Sequence, residues 1–202
     1  MGTMIQNRFR APVTAFISPF CRGLLRAGVT PNGVTIFGAV GSSISAVYFF
    51  AKGSFFLGTL VVALFVLSDL LDGTMARMSK SGSTAWGAVI DSTLDRVTDA
   101  AIFFGIILYA YESSKYEVLW LGVVALVVGG LIPYIRAKAE SLGINCSVGF
   151  AERAERLIIV LVSTGLYGVG FELALPLGLL ILCVLGAVTV AQRLLVVARF
   201  ES

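Results

Sequence analysis

Apolar stretches of bilayer-crossing length follow one another from residue 31 to residue 199, and nothing else constrains the fold of this chain as strongly. A helix needs about 20 apolar residues to cross the hydrocarbon core. Of the 202 residues, 57% are hydrophobic and 13% charged, the latter about half the share usual in globular proteins. The pattern predicts an all-α integral membrane protein with six transmembrane helices. They fall at about 31–51, 55–79, 85–111, 117–142, 150–169 and 173–199, forming one domain over residues 30–202. Thr30-Pro31 predicts the first helix start, with Thr as N-cap and Pro in the first turn. The polar ends of the second and third spans must project beyond the hydrocarbon.

Residues 1–3 read as a cloning remnant ahead of Met4, and residues 4–29 as an amphipathic juxtamembrane segment. Ile5, Phe9, Val13, Phe16, Phe20 and Leu24 recur at helical spacing, with arginines between them. That suits an interfacial helix drawn to anionic headgroups and broken at Pro12 and Pro19. The arginines also interrupt any signal-peptide core. With the N-terminus inside, cytoplasmic segments hold Arg8, Arg10, Arg22, Arg26, Arg77, Lys80, Arg96, Arg136, Lys138, Arg153, Arg156, Arg193 and Arg199. The external side holds only Lys52 and Lys115. This positive-inside bias predicts a multi-pass protein of the cell membrane with both termini cytoplasmic.

No histidine is present, which excludes a histidine base, triad or zinc site. Cys21, Cys146 and Cys183 show neither metal-ligand spacing nor an even count for disulfides. Acid–base chemistry therefore falls first to carboxylates.

Four carboxylates stand out in "DLLDGTMARMSKSGSTAWGAVIDSTLD", residues 69–95. Asp69 and Asp72 are spaced i, i+3 at the cytoplasmic end of span 2, and Asp91 and Asp95 i, i+4 near the start of span 3. Each pair shares a helix face. The short polar connection predicts that spans 2 and 3 are antiparallel neighbours with both pairs at one depth. Two unit charges about 4 Å apart repel by ~4 kcal/mol at an effective dielectric of 20. Divalent cations relieve that repulsion, and carboxylate oxygens are the ligands that Mg²⁺ or Mn²⁺ prefers. Four aspartates carry charge enough for two ions. Gly73, Ala76 and Gly87 leave room for a ligand beside them.

Asp69-x-x-Asp72-Gly73-x-x-Ala76-Arg77, nine residues, then Gly87-x-x-x-Asp91-x-x-x-Asp95 resembles the signature of the CDP-alcohol phosphatidyltransferases. The gap of nine stands where eight is commoner. "TPNGVT" at 30–35, "IPYIRAKAE" at 132–140 and "FAERAERLIIV" at 150–160 are similar to the phosphatidylinositol-phosphate synthase branch. The resemblance implies a homodimer that transfers a phosphatidyl group from CDP-diacylglycerol to inositol phosphate, releasing CMP. It implies Asp69, Asp72 and Asp91 as metal ligands, with Asp95 shared between metal contact and proton removal. It places Asn32, Thr35, Gly73, Ala76, Arg77 and Gly87 around the cytidine diphosphate.

Arg136, Lys138, Arg153, Arg156 and Arg193 fall at the cytoplasmic ends of spans 4 to 6. Clustered guanidinium groups suit a phosphorylated acceptor, and the resemblance points to Arg136, Arg156 and Arg193. Each can also serve topology or an ion pair, as Glu152 and Arg156 do if they pair at i, i+4. Asp99 extends the aspartate face by one turn as a supporting residue. A phosphatidylglycerolphosphate synthase would need a similar basic pocket. A divalent-cation transporter fits less well, because such sites lie at the midplane on broken helices. No nucleic-acid partner is implied.

Overall fold

A computed structural model describes residues 17–79 and 84–200. Arg8, Arg10, Pro12 and Lys80 lie outside the described residues. Helix α1 covers 17–26 and runs through Pro19 without interruption. It is followed by α2 (Pro31–Ala51), α3 (Phe55–Val66), α4 (Ser68–Met78), α5 (Ala85–Glu112), α6 (Tyr116–Ser141), α7 (Arg153–Gly168) and α8 (Ala174–Phe200). No strand occurs among the described residues. The α2 start is as expected: Thr30 Oγ1 accepts from the Gly33 N–H at 3.1 Å, with Pro31 in the first turn.

Four segments are long and apolar enough to cross a membrane: Pro31–Ala51, Phe55–Met78, Tyr116–Ser141 and Ala174–Phe200. The other two predicted spans differ for separate reasons. Helix α5 carries Asp91, Asp95, Arg96 and Asp99 within its first 15 of 28 residues, and α7 has only 16 residues, opening on Arg153, Glu155 and Arg156. Leu64, Trp120 and Leu173 point outward at 65% exposure or more, as lipid-facing side chains do.

The second span is two helices meeting at Leu67, which is both C-cap of α3 and N-cap of α4. Its neighbour also differs from expectation. Among the described residues α4 packs on α2 and α3, while α5 packs on α2 and α6, so α2 lies between the two aspartate-bearing helices. The cause is the small-residue surface of α2. A β-carbon on Gly38 would fall 1.8 Å from Ser68 Oγ, and one on Gly41 2.4 Å from the Phe65 ring. On another side of α2, a β-carbon on Gly105 would fall 2.6 Å from the Ala46 carbonyl oxygen. Backbones that close need glycine, and α2 meets it on both interfaces.

The main core lies between α2, α3, α5, α6, α7 and α8 around Phe50, Phe55, Ile102, Ile106, Leu175 and Leu179. Phe50 stacks on Phe55 at 5.4 Å, and the Tyr109 and Tyr167 rings meet Phe55 edge-on. At that end of the bundle Lys115 Nζ donates to Tyr167 Oη at 2.6 Å, and this bond holds the Lys115 ammonium above its ordinary pKa. A second cluster, Cys21, Val34 and Met75 with Ile17, Leu24 and Leu25, seats α1 against α2 and α4. The apolar stripe of α1 expected to face lipid is thus divided, with Leu24 turned inward and Phe20 59% exposed.

Candidate active site

The first half of the site grows from the close approach at Leu67. Helix α4 starts against Gly38 and runs along α2, which buries Asp72 to 7% exposure. Thr35 Oγ1, one helical turn into α2, lies 2.5 Å from Asp72 Oδ2 and 3.1 Å from the Pro31 carbonyl oxygen. A hydroxyl has one proton, and the shorter contact directs it to the carboxylate. Asp69 is one turn earlier on α4, and its side chain is outside the described residues.

Asp72 and Asp91 face one cavity of about 350 Å³ from opposite walls, with Gly73 and Ala76 beside the first and Gly87 beside the second. Asn32 and Thr35 of α2 form the wall between. Gly87 lies where α5 presses on α2: its N–H is held by Thr84 Oγ1 at 3.0 Å, and a β-carbon there would sit 3.0 Å from Asn32 Oδ1. A β-carbon on Gly73 would meet only Arg77 Nη1, at 3.7 Å, so the wall there is open. Arg77 does not line the cavity. It is exposed and donates to Thr74 Oγ1 on its own helix at 3.0 Å.

Asp95 faces a second cavity of about 390 Å³, where Arg136, Arg156 and Arg193 also converge. Its Oδ1 lies 3.0 Å from Arg153 Nη2. Of the expected aspartates, Asp72 and Asp91 line the first cavity and Asp95 the second, and no group of three metal-ligating side chains gathers among the described residues. A narrow cleft lies between, sharing Thr35 with the first cavity and Asp95 and Arg153 with the second.

The three predicted arginines are held differently. Arg193, 1% exposed, donates Nε to the Val148 carbonyl at 2.9 Å and Nη1 to the Ile132 carbonyl at 2.5 Å. Arg156 donates to Asp99 Oδ2 at 2.8 Å and to the Ala151 carbonyl at 3.0 Å, so its acidic partner is Asp99 and not Glu152. Arg136 pairs with Glu140 at 2.9 Å and lies 3.6 Å from Glu152, with 42% of its side chain exposed. Glu152, Asp99 and Arg153 lie outside the predicted site set, yet each bridges or joins these arginines. Two signals for them were present in sequence. Asp91, Asp95 and Asp99 repeat every four residues, and Arg153 and Arg156 are three apart on one face. The second cavity is lined by five arginines, Arg96 included, and four carboxylates, so a phosphorylated ligand there would meet an excess of cations of which Arg136 and Arg156 already face carboxylates.

The model of the CDP-alcohol phosphatidyltransferase family matches residues 28–191. The chain belongs to this family. Among CDP-alcohol phosphatidyltransferases, the phosphatidylinositol phosphate synthase of Streptomyces avermitilis is 42% identical, covering 98% of this chain and 85% of its own. That of Cutibacterium acnes is 44% identical over 96% of this chain and 97% of its own. The Mycobacterium tuberculosis phosphatidylinositol phosphate synthase solved with CDP-DAG bound superposes with a TM-score of 0.84 at 42% identity, covering 89% of this chain and 92% of that one. The same enzyme in complex with manganese and citrate superposes at 0.85 with 42% identity, covering 89% and 87%.

Proposed function

We propose that this CDP-alcohol phosphatidyltransferase moves the phosphatidyl group of CDP-diacylglycerol to a hydroxyl of inositol phosphate, releasing CMP. One observation carries the reading. The cavity lined by the family's signature residues and the cavity lined by arginines flank one narrow cleft, which shares Thr35 with the first and Asp95 and Arg153 with the second. A nucleotide diphosphate in the first and a sugar phosphate in the second would bring donor and acceptor together there.

Asp69, Asp72, Asp91 and Asp95 form the metal-binding set, for two ions of Mg²⁺ or Mn²⁺. The donor chemistry fits. Asp72 and Asp91 present hard anionic oxygens to one cavity from two helices, and Cys21, Cys146 and Cys183 are buried elsewhere. Divalent ions bound there supply Lewis-acid polarisation of the pyrophosphate. Asn32, Thr35, Gly73, Ala76 and Gly87 shape the nucleotide wall, and Arg77 joins it by releasing Thr74. Arg136, Arg156 and Arg193 bind the acceptor phosphate. Asp95 takes the proton of the acceptor hydroxyl as its oxygen bonds to phosphorus and the bond from phosphorus to CMP breaks. The helices cross six times, as α2, α3 with α4, α5, α6, α7 and α8, with both termini cytoplasmic and α1 in the headgroup layer. The concentration of arginines at the aspartate end supports that orientation.

The test is CMP release from labelled CDP-diacylglycerol by purified protein with Mg²⁺ and, separately, inositol phosphate, glycerol 3-phosphate or free inositol. Inositol phosphate should be the productive acceptor. Preference for glycerol 3-phosphate would convert the reading to a phosphatidylglycerolphosphate synthase, and no release with any acceptor would overturn it. Asp95→Asn should abolish turnover and leave CDP-diacylglycerol binding measurable.

A further inference from the structure

We propose that Arg153 is an exchangeable counter-cation. Its guanidinium neutralises Asp95 while the metal site is unfilled, and leaves for the acceptor cavity when a divalent ion takes the carboxylate. The inference rests on the reading of Asp95 as a metal ligand.

Three features set Arg153 apart. Its Nη2 lies 3.0 Å from Asp95 Oδ1 and its Nε 3.7 Å from Asp99 Oδ1, so one side chain spans both carboxylates. Asp99 does not depend on it, because Arg156 Nη2 already sits 2.8 Å from Asp99 Oδ2 and is anchored to the Ala151 carbonyl. Arg153 also has the most exposed side chain of the four, 26% against 19% for Asp95, 17% for Asp99 and 9% for Arg156. Arg156 is thus fixed by two bonds in a buried place, and Arg153 is the more solvent-accessible of the two cations.

Position supplies the direction in which Arg153 leaves. Arg153 lines both the cleft shared with Thr35 and the arginine cavity. A monovalent guanidinium and a divalent cation at one carboxylate repel each other in a partly desolvated site. Moving toward the arginine cavity relieves the repulsion and adds a cation where a phosphate would bind, in a cavity where Arg136 and Arg156 already face carboxylates. Metal loading and acceptor binding are then coupled, and the coupling is reciprocal. Arg153 is on this account a positioning residue.

The experiment measures Mn²⁺ binding to the detergent-solubilised full chain by the electron paramagnetic resonance signal of free Mn²⁺, without lipid or nucleotide. Arg153→Gln should bind Mn²⁺ on the order of tenfold tighter than wild type. Arg153→Lys keeps the charge but cannot reach Asp95 and Asp99 together, and should fall between them. Equal or weaker binding by Arg153→Gln overturns the exchange. If that variant does not fold, equal or weaker binding by Arg153→Lys overturns it. A residue that only braces the fold would lower metal affinity on removal, so the gain is diagnostic. Asp95→Asn separates the two readings. Weakened Mn²⁺ binding supports the metal site whatever Arg153 does, and unchanged binding overturns both.

Discussion

Gly38 and Ser68 touch at a distance that leaves no room for a side chain: a β-carbon on Gly38 would fall 1.8 Å from Ser68 Oγ and 3.2 Å from the Phe65 carbonyl oxygen. The backbone of α2 thereby sets where α4 begins, and with it the depth of Asp72. Gly38→Ala should cost about 1–3 kcal/mol, the usual range for overpacking, and lower turnover as α4 is pushed away. Gly130→Ala is the control, because nothing lies within 4 Å of its β-carbon position, and it should unfold at or slightly above the wild-type temperature. Thermal unfolding in detergent compares them, and equal melting of Gly38→Ala and wild type would contradict the packing.

Thr35 gives Asp72 a hydroxyl partner inside a buried site. Thr35→Ala removes that donor and should cost about 1–3 kcal/mol, with weaker Mg²⁺ activation as the carboxylate loses its orientation. Thr35→Ser keeps the hydroxyl and should remain near wild type in both. Activation curves against Mg²⁺ decide, and a Thr35→Ala curve that overlays wild type would remove Thr35 from the site.

Arg136 and Arg193 line the same cavity but should fail differently. Losing Arg193 removes two buried bonds, to the Val148 and Ile132 carbonyls, in a place where the residue is 1% exposed. Arg193→Gln should therefore destabilise by about 2–5 kcal/mol. Arg136 is 42% exposed in its side chain, so Arg136→Gln should leave stability within about 0.5 kcal/mol and raise KM for inositol phosphate several-fold. Initial rates against acceptor concentration, read beside unfolding temperatures, check both. Indistinguishable unfolding of the two variants would refute the contrast.

Lys115 links stability to alkaline pH. Its pKa is raised in the fold, first by the hydrogen bond to Tyr167. The contribution is fully present below the unfolded lysine value, about 10.4, and is lost as pH rises through the higher folded value. Wild type should melt above Lys115→Met throughout pH 6–9, and the difference should close only beyond about pH 10.4. A gap that closes below pH 9 would point to another group.

Helix extents were legible because they depend on local chemistry. Thr30-Pro31 marks a start by its own side-chain bond, and six apolar runs mark six rod-like segments, one of them kinked at Leu67. The site was legible only in part: i, i+4 spacing puts Asp91 and Asp95 on one face of α5, yet Asp91 lines the first cavity and Asp95 the second. Neighbour order is another matter. Gly38, Gly41 and Gly105 announce close packing without naming the partner, so α2 between α4 and α5 could not be read from them. Ion-pair choice was hidden for the same reason. Glu152 and Arg156 have the spacing to pair, yet Asp99 arrives from a different helix and takes Arg156. Arg77 shows the limit of a motif, since signature position does not determine rotamer, and its guanidinium turns to Thr74.

The placement of α2 has a consequence for how this enzyme family tolerates change in length. Each half of the acidic signature is aligned by contact with a common template helix, at Gly38 with Ser68 on one side and at Asn32 with Gly87 on the other. Both contacts lie outside the residues that join Arg77 to Gly87. A change in the number of those residues, as from eight to the nine of this chain, leaves both contacts available to set the depth of the carboxylates.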